Sequence, residues 1–159
     1  MKDISRALSN SAIMTFPEDS NLTLFVKSFQ VPSITLGTTQ IPLPQKSHWQ
    51  VPSIHSTVEI FTVMFFADEN FKNYFYILDW MHKCRYATDL TTVMKTGVIT
   101  ILNNHKMPII NLELRYCWPS SLGELDLDVS TADPVIPFVS FTCAEYSYQY
   151  INENTKGEI

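Results

Sequence analysis

Few residues in this chain are spaced for chemistry. His82 and Cys84 form the closest His/Cys pair, inside a stretch with helical periodicity. Two positions apart on a helix they diverge by about 200°, whereas ligands sharing a face stand three or four apart. His48, His55 and His105 lie elsewhere, and Cys84, Cys117 and Cys143 are odd in number, well separated and outside any C-x-x-C spacing. Such thiols read as reduced and mostly buried, with neither a disulfide framework nor a zinc site. Glu124, Asp126 and Asp128 are more regular. In an extended chain their carboxylates emerge on one face, as a solvated edge, an acidic lining or a hard-cation cluster. The chain has no Gly-rich phosphate loop, G-x-S-x-G elbow or H-E-x-x-H helix, and its four glycines leave little material for a phosphate cradle. The expectation is a protein that is not an enzyme and holds no cofactor or metal.

Composition points instead to association. Charged residues make up 17% of the 159, below the roughly 25% usual for soluble domains. Ten Phe, seven Tyr and three Trp fall partly in segments whose two alternating faces are both apolar, more than an isolated monomer ordinarily exposes. A formal net charge of -5 argues against a phosphate-gripping surface and leaves only passive contact with DNA. No run of about 18 apolar residues is present, and the opening MKDISRALSNSAIM lacks the apolar core of a signal peptide. These features predict a cytoplasmically made, soluble protein without membrane insertion.

The elements that position these residues are mostly strands. Asn21–Gln30 is rich in β-branched and aromatic residues, and residues 37–53, with Pro42, Pro44 and Pro52, read as a long projecting loop rather than regular strand. Val58–Phe66 is apolar on both faces and predicts a strand covered on each side. Asp68 is a candidate N-cap for a helix over 70–83, whose core face is predicted as Phe71, Tyr74, Phe75, Leu78 and Met81. Gly97–Leu102 and Ile109–Tyr116 flank NNHKM as a β-hairpin, with Leu112, Leu114 and Tyr116 on one face. A last long strand is predicted from Phe138 to Ile151. The fold class is therefore mainly β, an antiparallel barrel or sandwich with one flanking helix. Residues 1–159 read as a single domain with a short N-terminal arm (1–20) and a polar C-terminal tail (152–159).

Between the hairpin and the last strand stands Trp118-Pro119-Ser120-Ser121-Leu122-Gly123-Glu124-Leu125-Asp126-Leu127-Asp128. By residue type, Pro119 would stop the strand, Gly123 would permit a turn, and Leu125 and Leu127 would resume burial. Physically this is a well-packed loop of a β-domain. The segment also resembles the tail tube protein of T-even-type contractile bacteriophages, through Trp118, Pro119, Gly123, Glu124, Leu125, Leu127 and Asp128. Weaker likeness extends over about residues 22–150.

That resemblance implies a virion structural protein forming six-membered rings, stacked as the inner tube of a contractile tail and assembled in the bacterial host cytoplasm. It implies further copies of the chain, tail sheath, baseplate hub or initiator and tail terminator as partners, with DNA only as passing cargo. Pro42, Pro44, His48 and Trp49 then fall in the candidate inter-ring loop. A paralogous tube initiator on the baseplate and a type VI secretion tube share the expected fold. A ligand-binding barrel, with Phe61, Phe65, Phe141 and Tyr146 lining a pocket, is the alternative from a different class.

Overall fold

The computed structural model describes residues 12–19, 22–44, 48–130, 132–151 and 156–158. Strict alternation builds the first two strands, Ala12–Thr15 (β1) and Thr23–Phe29 (β2). Ala12, Met14, Leu24 and Val26 are buried, while Phe25 and Lys27 face outward. Part of the predicted N-terminal arm is thus a barrel strand, because Met14 and the following Phe16 carry apolar bulk that the core takes up; residues 1–11 lie outside the described residues.

Ile34–Pro42 (β3) and His48–Val58 (β4) form a two-stranded antiparallel sheet of their own. The predicted loop over 37–53 is therefore a β-hairpin, and the prolines do not prevent it. Pro42 and Pro52 sit where the ladder ends or breaks, so their missing N–H groups leave no inner bond unmade. The apolar run 58–66 is likewise divided. Val58 ends β4, Glu59 turns back through its N–H to the Ser33 carbonyl at 3.0 Å, and only Phe61–Phe65 (β5) is barrel strand, with Phe61, Val63 and Phe65 buried.

The helix spans Lys72–Tyr86 (α1), about two residues later than predicted. Asp68 does not cap it. The chain first makes one further turn, Phe71 N–H to Asp68 carbonyl at 2.9 Å, with Phe71 in the left-handed region at φ 54°. Buried Asn73 serves the helix start instead. Its Oδ1 accepts from Tyr74 N–H at 2.8 Å and Asp68 N–H at 3.3 Å, and its Nδ2 donates to the Phe66 carbonyl at 2.9 Å.

Lys95–Leu102 (β6) and Pro108–Leu122 (β7) form the expected hairpin, its turn held by Asn103 Oδ1 accepting from His105 and Met107 N–H. Phe138–Thr142 (β8) and Glu145–Tyr150 (β9) replace the predicted single strand 138–151. Both pair with the same edge of β7, and the break between them faces a bulge in β7. There β7 carries one residue more than β6, between Leu114↔Gly97 and Cys117↔Lys95, and Tyr116 adopts φ 56° and faces outward. The bulge moves the inward positions from Leu112 and Leu114 to Cys117 and Pro119. Lys156–Glu158 (β10) pairs with β9, so part of the predicted tail has strand backbone, while residues 152–155 and 159 lie outside the described residues.

Pairing in the order β6-β1-β2-β5-β8-β7 and back to β6 closes an antiparallel six-stranded barrel. Closure removes free edges from the barrel itself. The helix face that meets the core is Asn73, Ile77 and Trp80, with Cys84 half-buried, rather than the predicted set. Of that set, Tyr74 packs against the core, Phe71, Leu78 and Met81 are half-buried, and Phe75 is exposed. Trp80 decides the phase. Its ring lies edge-on to Phe16 at 5.3 Å and tilted to Phe141 at 6.1 Å, and its indole N–H donates to the Val93 carbonyl at 2.6 Å. Burying Ile77 and Trp80 contributes roughly 3–6 kcal/mol on an area basis. Lys95 runs alongside, 4.8 Å from the Trp80 ring, and ends on the Asp19 carboxylate at 2.8 Å.

Candidate functional site

The barrel interior offers no binding site at the aromatics considered for one. Phe61, Phe65, Phe141 and Tyr146 are packed in the core, with the Phe61 and Phe141 rings 5.8 Å apart and the Tyr146 hydroxyl donating to the Pro32 carbonyl at 3.0 Å. His48, His55, His82 and His105 are exposed and dispersed. Among the described residues no group of three or more His, Cys, Asp or Glu is placed to hold a metal ion. No helix among them is long and apolar enough to cross a membrane.

Surface features are more informative, beginning with the β3–β4 hairpin. Its base is fastened by Ser33 Oγ donating to Glu59 Oε2 at 2.6 Å. Beyond that the ribbon stands away from the core, and every β3 residue from Thr35 to Pro42 is exposed. At mid-length Gly37 faces Ser53, Ile54 and His55, between Leu36↔Ser56 and Thr38↔Pro52. A side chain on Gly37 would meet Ser53 Cβ at 3.2 Å, so glycine lets the bulge fold over it. The bulge turns Ile54 to solvent at 94% exposure. Toward the tip Ile41 pairs with Trp49 and Pro42 with His48, while Pro44 follows in the turn. Leu36, Ile41, Leu43, Trp49 and Ile54 are all exposed. A two-stranded ribbon wet on both faces is marginal alone, and its outer edges offer unpaired backbone groups to another chain.

A second apolar surface lies on the outer barrel wall. Met64 of β5 stands opposite Phe138 of β8, and Phe66 N–H donates to the Phe25 carbonyl at 2.9 Å. All four side chains face outward and are exposed. Phe138 lies over Gly123, where an added Cβ would clash with the ring at Cδ1 and Cε1. The predicted role of Gly123 is thereby corrected. It has no positive φ, and glycine is needed for close approach of the ring rather than for a turn.

The rest of the WPSSLGELDLD segment also departs from its reading. Trp118 and Pro119 lie within β7, Trp118 half-buried and Pro119 buried, so Pro119 does not stop the strand. β6 pairs no further than Cys117, so beyond it that edge of β7 has no partner strand among the described residues, and a second irregularity follows Pro119 opposite β8. Leu125 is half-buried, but Leu127 is exposed and does not resume burial. Residues 124–128 and 132–137 lie outside the strands, with a turn at 129–130, and the Val135 and Pro137 carbonyls accept from Ala67 N–H at 3.0 Å and Phe65 N–H at 3.1 Å. Glu124, Asp126 and Asp128, joined by Asp133, line an open groove of about 580 Å³ with exposed Leu127 and Val129. Hydrogen bonds from the Ser130 hydroxyl (2.6 Å) and N–H (2.9 Å) hold the Asp128 carboxyl below its ordinary range.

Sequence reasoning found Trp49 but missed Leu36, Ile41, Leu43 and Ile54, because prolines drew attention from the β-branched pattern of Ile34, Thr35, Thr38, Thr39 and Ile41. That pattern was the available signal.

No protein-family model and no curated protein sequence matches the chain. Solved structures do match over nearly its whole length. A chain of the sheath–tube complex of an extracellular contractile injection system, PVC, in its extended state is similar at TM-score 0.71 and 12% identity, covering 94% of this chain and 95% of the other. A chain of the PVC sheath/tube terminator is similar at TM-score 0.69 and 13% identity, covering 91% and 97%. An Hcp protein is similar at TM-score 0.60 and 9% identity, covering 94% and 99%. At such identities the likeness is one of fold, a barrel with a flanking helix shared with chains in structures of a contractile injection system and with an Hcp protein.

Proposed function

We propose that this chain is a structural subunit that associates with copies of itself into six-membered rings, stacked as the inner tube of a contractile phage tail. The hairpin carries this reading: a closed barrel that projects a ribbon with two open edges and five exposed large apolar side chains is built to complete itself on another molecule. The outer wall at Phe25, Met64, Phe66 and Phe138 supplies a second contact, and a head-to-tail interface of this kind closes rings laterally and grows axially. Sheath, baseplate and terminator proteins are the further partners in this reading. DNA passes through the tube, and the acidic 124–133 segment, if it faces the lumen, repels rather than holds it. The subunit is made in the bacterial host cytoplasm and ends in the virion tail.

Negative-stain electron microscopy of the purified protein at rising concentration tests this reading. Rings and then tubes are the expected result, and a strict monomer at all concentrations and salts overturns it. A second reading is a ring at one end of the tube, such as a baseplate initiator or a terminator. The likeness to the PVC terminator at TM-score 0.69, almost equal to that for the sheath–tube complex at 0.71, favours keeping it. Single rings that never stack would select this second reading.

A further inference from the structure

Two buried thiols lie where the ladder along β7 is interrupted. The β7 ladder pairs Arg115 with Glu145 on one side of the break between β8 and β9, and Trp118 with Thr142 on the other. Tyr116 and Cys117 are left facing Cys143 and Ala144. Tyr116 is turned outward by the bulge, whereas Cys117 and Cys143 both point into the core, at 0% and 4% exposure. Side chains directly opposite in an antiparallel pair have Cβ atoms about 4.5–5.5 Å apart, and a disulfide needs about 3.5–4.5 Å. The remaining approach is small, and it falls where the ladder is already interrupted.

We infer that Cys117 and Cys143 are an oxidation site, a dithiol that an external peroxide converts to an intramolecular disulfide joining β7 to the β8–β9 junction. Each thiol shifts its neighbour, Cys143 lying below the ordinary thiol range and Cys117 above it, with burial adding to the second. The Cys143 thiolate attacks one peroxide oxygen, and the O–O bond breaks to give a sulfenic acid and hydroxide. Cys117 then loses its proton as its sulfur attacks the Cys143 sulfur, displacing the hydroxyl as water. Two thiols and one hydrogen peroxide give one disulfide and two waters. The bond closes a loop of about 27 residues and ties the two halves of the last β run to the strand they share. A subunit folded under reducing conditions would thus acquire a covalent latch once oxidant reaches it.

The test uses the full chain carrying Cys84→Ser, which removes the third thiol. The folded protein is treated with hydrogen peroxide, then digested without reductant and weighed. The expected result is loss of two hydrogens, a peptide linked through Cys117 and Cys143, and a melting temperature raised by on the order of 5–10 °C. Dithiothreitol should reverse all three, and Cys117→Ser or Cys143→Ser should prevent them. Because the mass is read on protein with both cysteines in place, the result does not depend on those variants folding. Two thiols that stay free in folded protein, overoxidation of one without a cross-link, or links only between chains would each overturn the proposal. Ring or tube formation is not part of the readout, so failure here leaves the assembly reading standing.

Discussion

Ile54→Asp separates assembly from folding more cleanly than any other change. Ile54 sits on the hairpin bulge at 94% exposure, so the isolated subunit has almost no contact there to lose. Its folding stability should change by no more than about 0.5 kcal/mol, as for other surface substitutions. If association covers this side chain, nearly all its surface is available for burial, worth about 1.5–3 kcal/mol. Losing that weakens each contact roughly 10- to 100-fold, and an aspartate facing an apolar partner surface adds to the loss. Because the contact repeats with every subunit, tubes should disappear at concentrations where the unaltered protein forms them. The assay pairs urea denaturation with mass photometry and negative-stain imaging. Unchanged assembly by Ile54→Asp would refute a role for the bulge, and a large drop in folding stability would show that the hairpin is part of the core.

Three further outcomes follow from the structure. Removing residues 40–50, the distal hairpin, should abolish ring stacking while far-UV circular dichroism and melting show an intact barrel; unfolding would contradict the separation of ribbon and core. Gly123→Ala should destabilise by about 1–3 kcal/mol in urea, since the new methyl displaces the Phe138 ring, and Phe138→Ala in the same chain should recover most of it. Ser130→Ala should raise the Asp128 carboxyl toward its ordinary value in an NMR titration. Because the folded value is depressed, the stability it contributes is present above the unfolded value and lost as pH falls through the folded one. This exposed group's share of acid sensitivity should therefore shrink in the variant.

Some of the molecule was legible without coordinates. Alternation in Thr23–Phe29, the Asn103-centred turn and the three-and-four spacing over 71–81 each depend on neighbours within a few residues, so a mainly β chain with one helix follows from local rules. The WPSSLGELDLD segment, through its resemblance, pointed to a tube fold, and the solved structures of injection-system components agree with that fold. Its individual residues were misread because their roles are set at long range. Pro119 stays in a strand because β6 stops at Cys117, and Gly123 is required by Phe138, fifteen positions away.

The helix shows the same division. Two apolar stripes run along Lys72–Tyr86, and the one richer in aromatics is left mostly half-buried with Phe75 exposed, while Trp80 packs against Phe16 and Phe141 and reaches the Val93 carbonyl. The single β run 138–151 divides in two beside the point where β7 bulges against β6. By itself the sequence determined a mainly β chain with one helix and a high aromatic content, while the hairpin over 37–53 was hidden behind its prolines. Tertiary structure decided which faces turn inward, and hence which apolar side chains remain outside on the hairpin and wall, because burial is settled by partners distant in sequence.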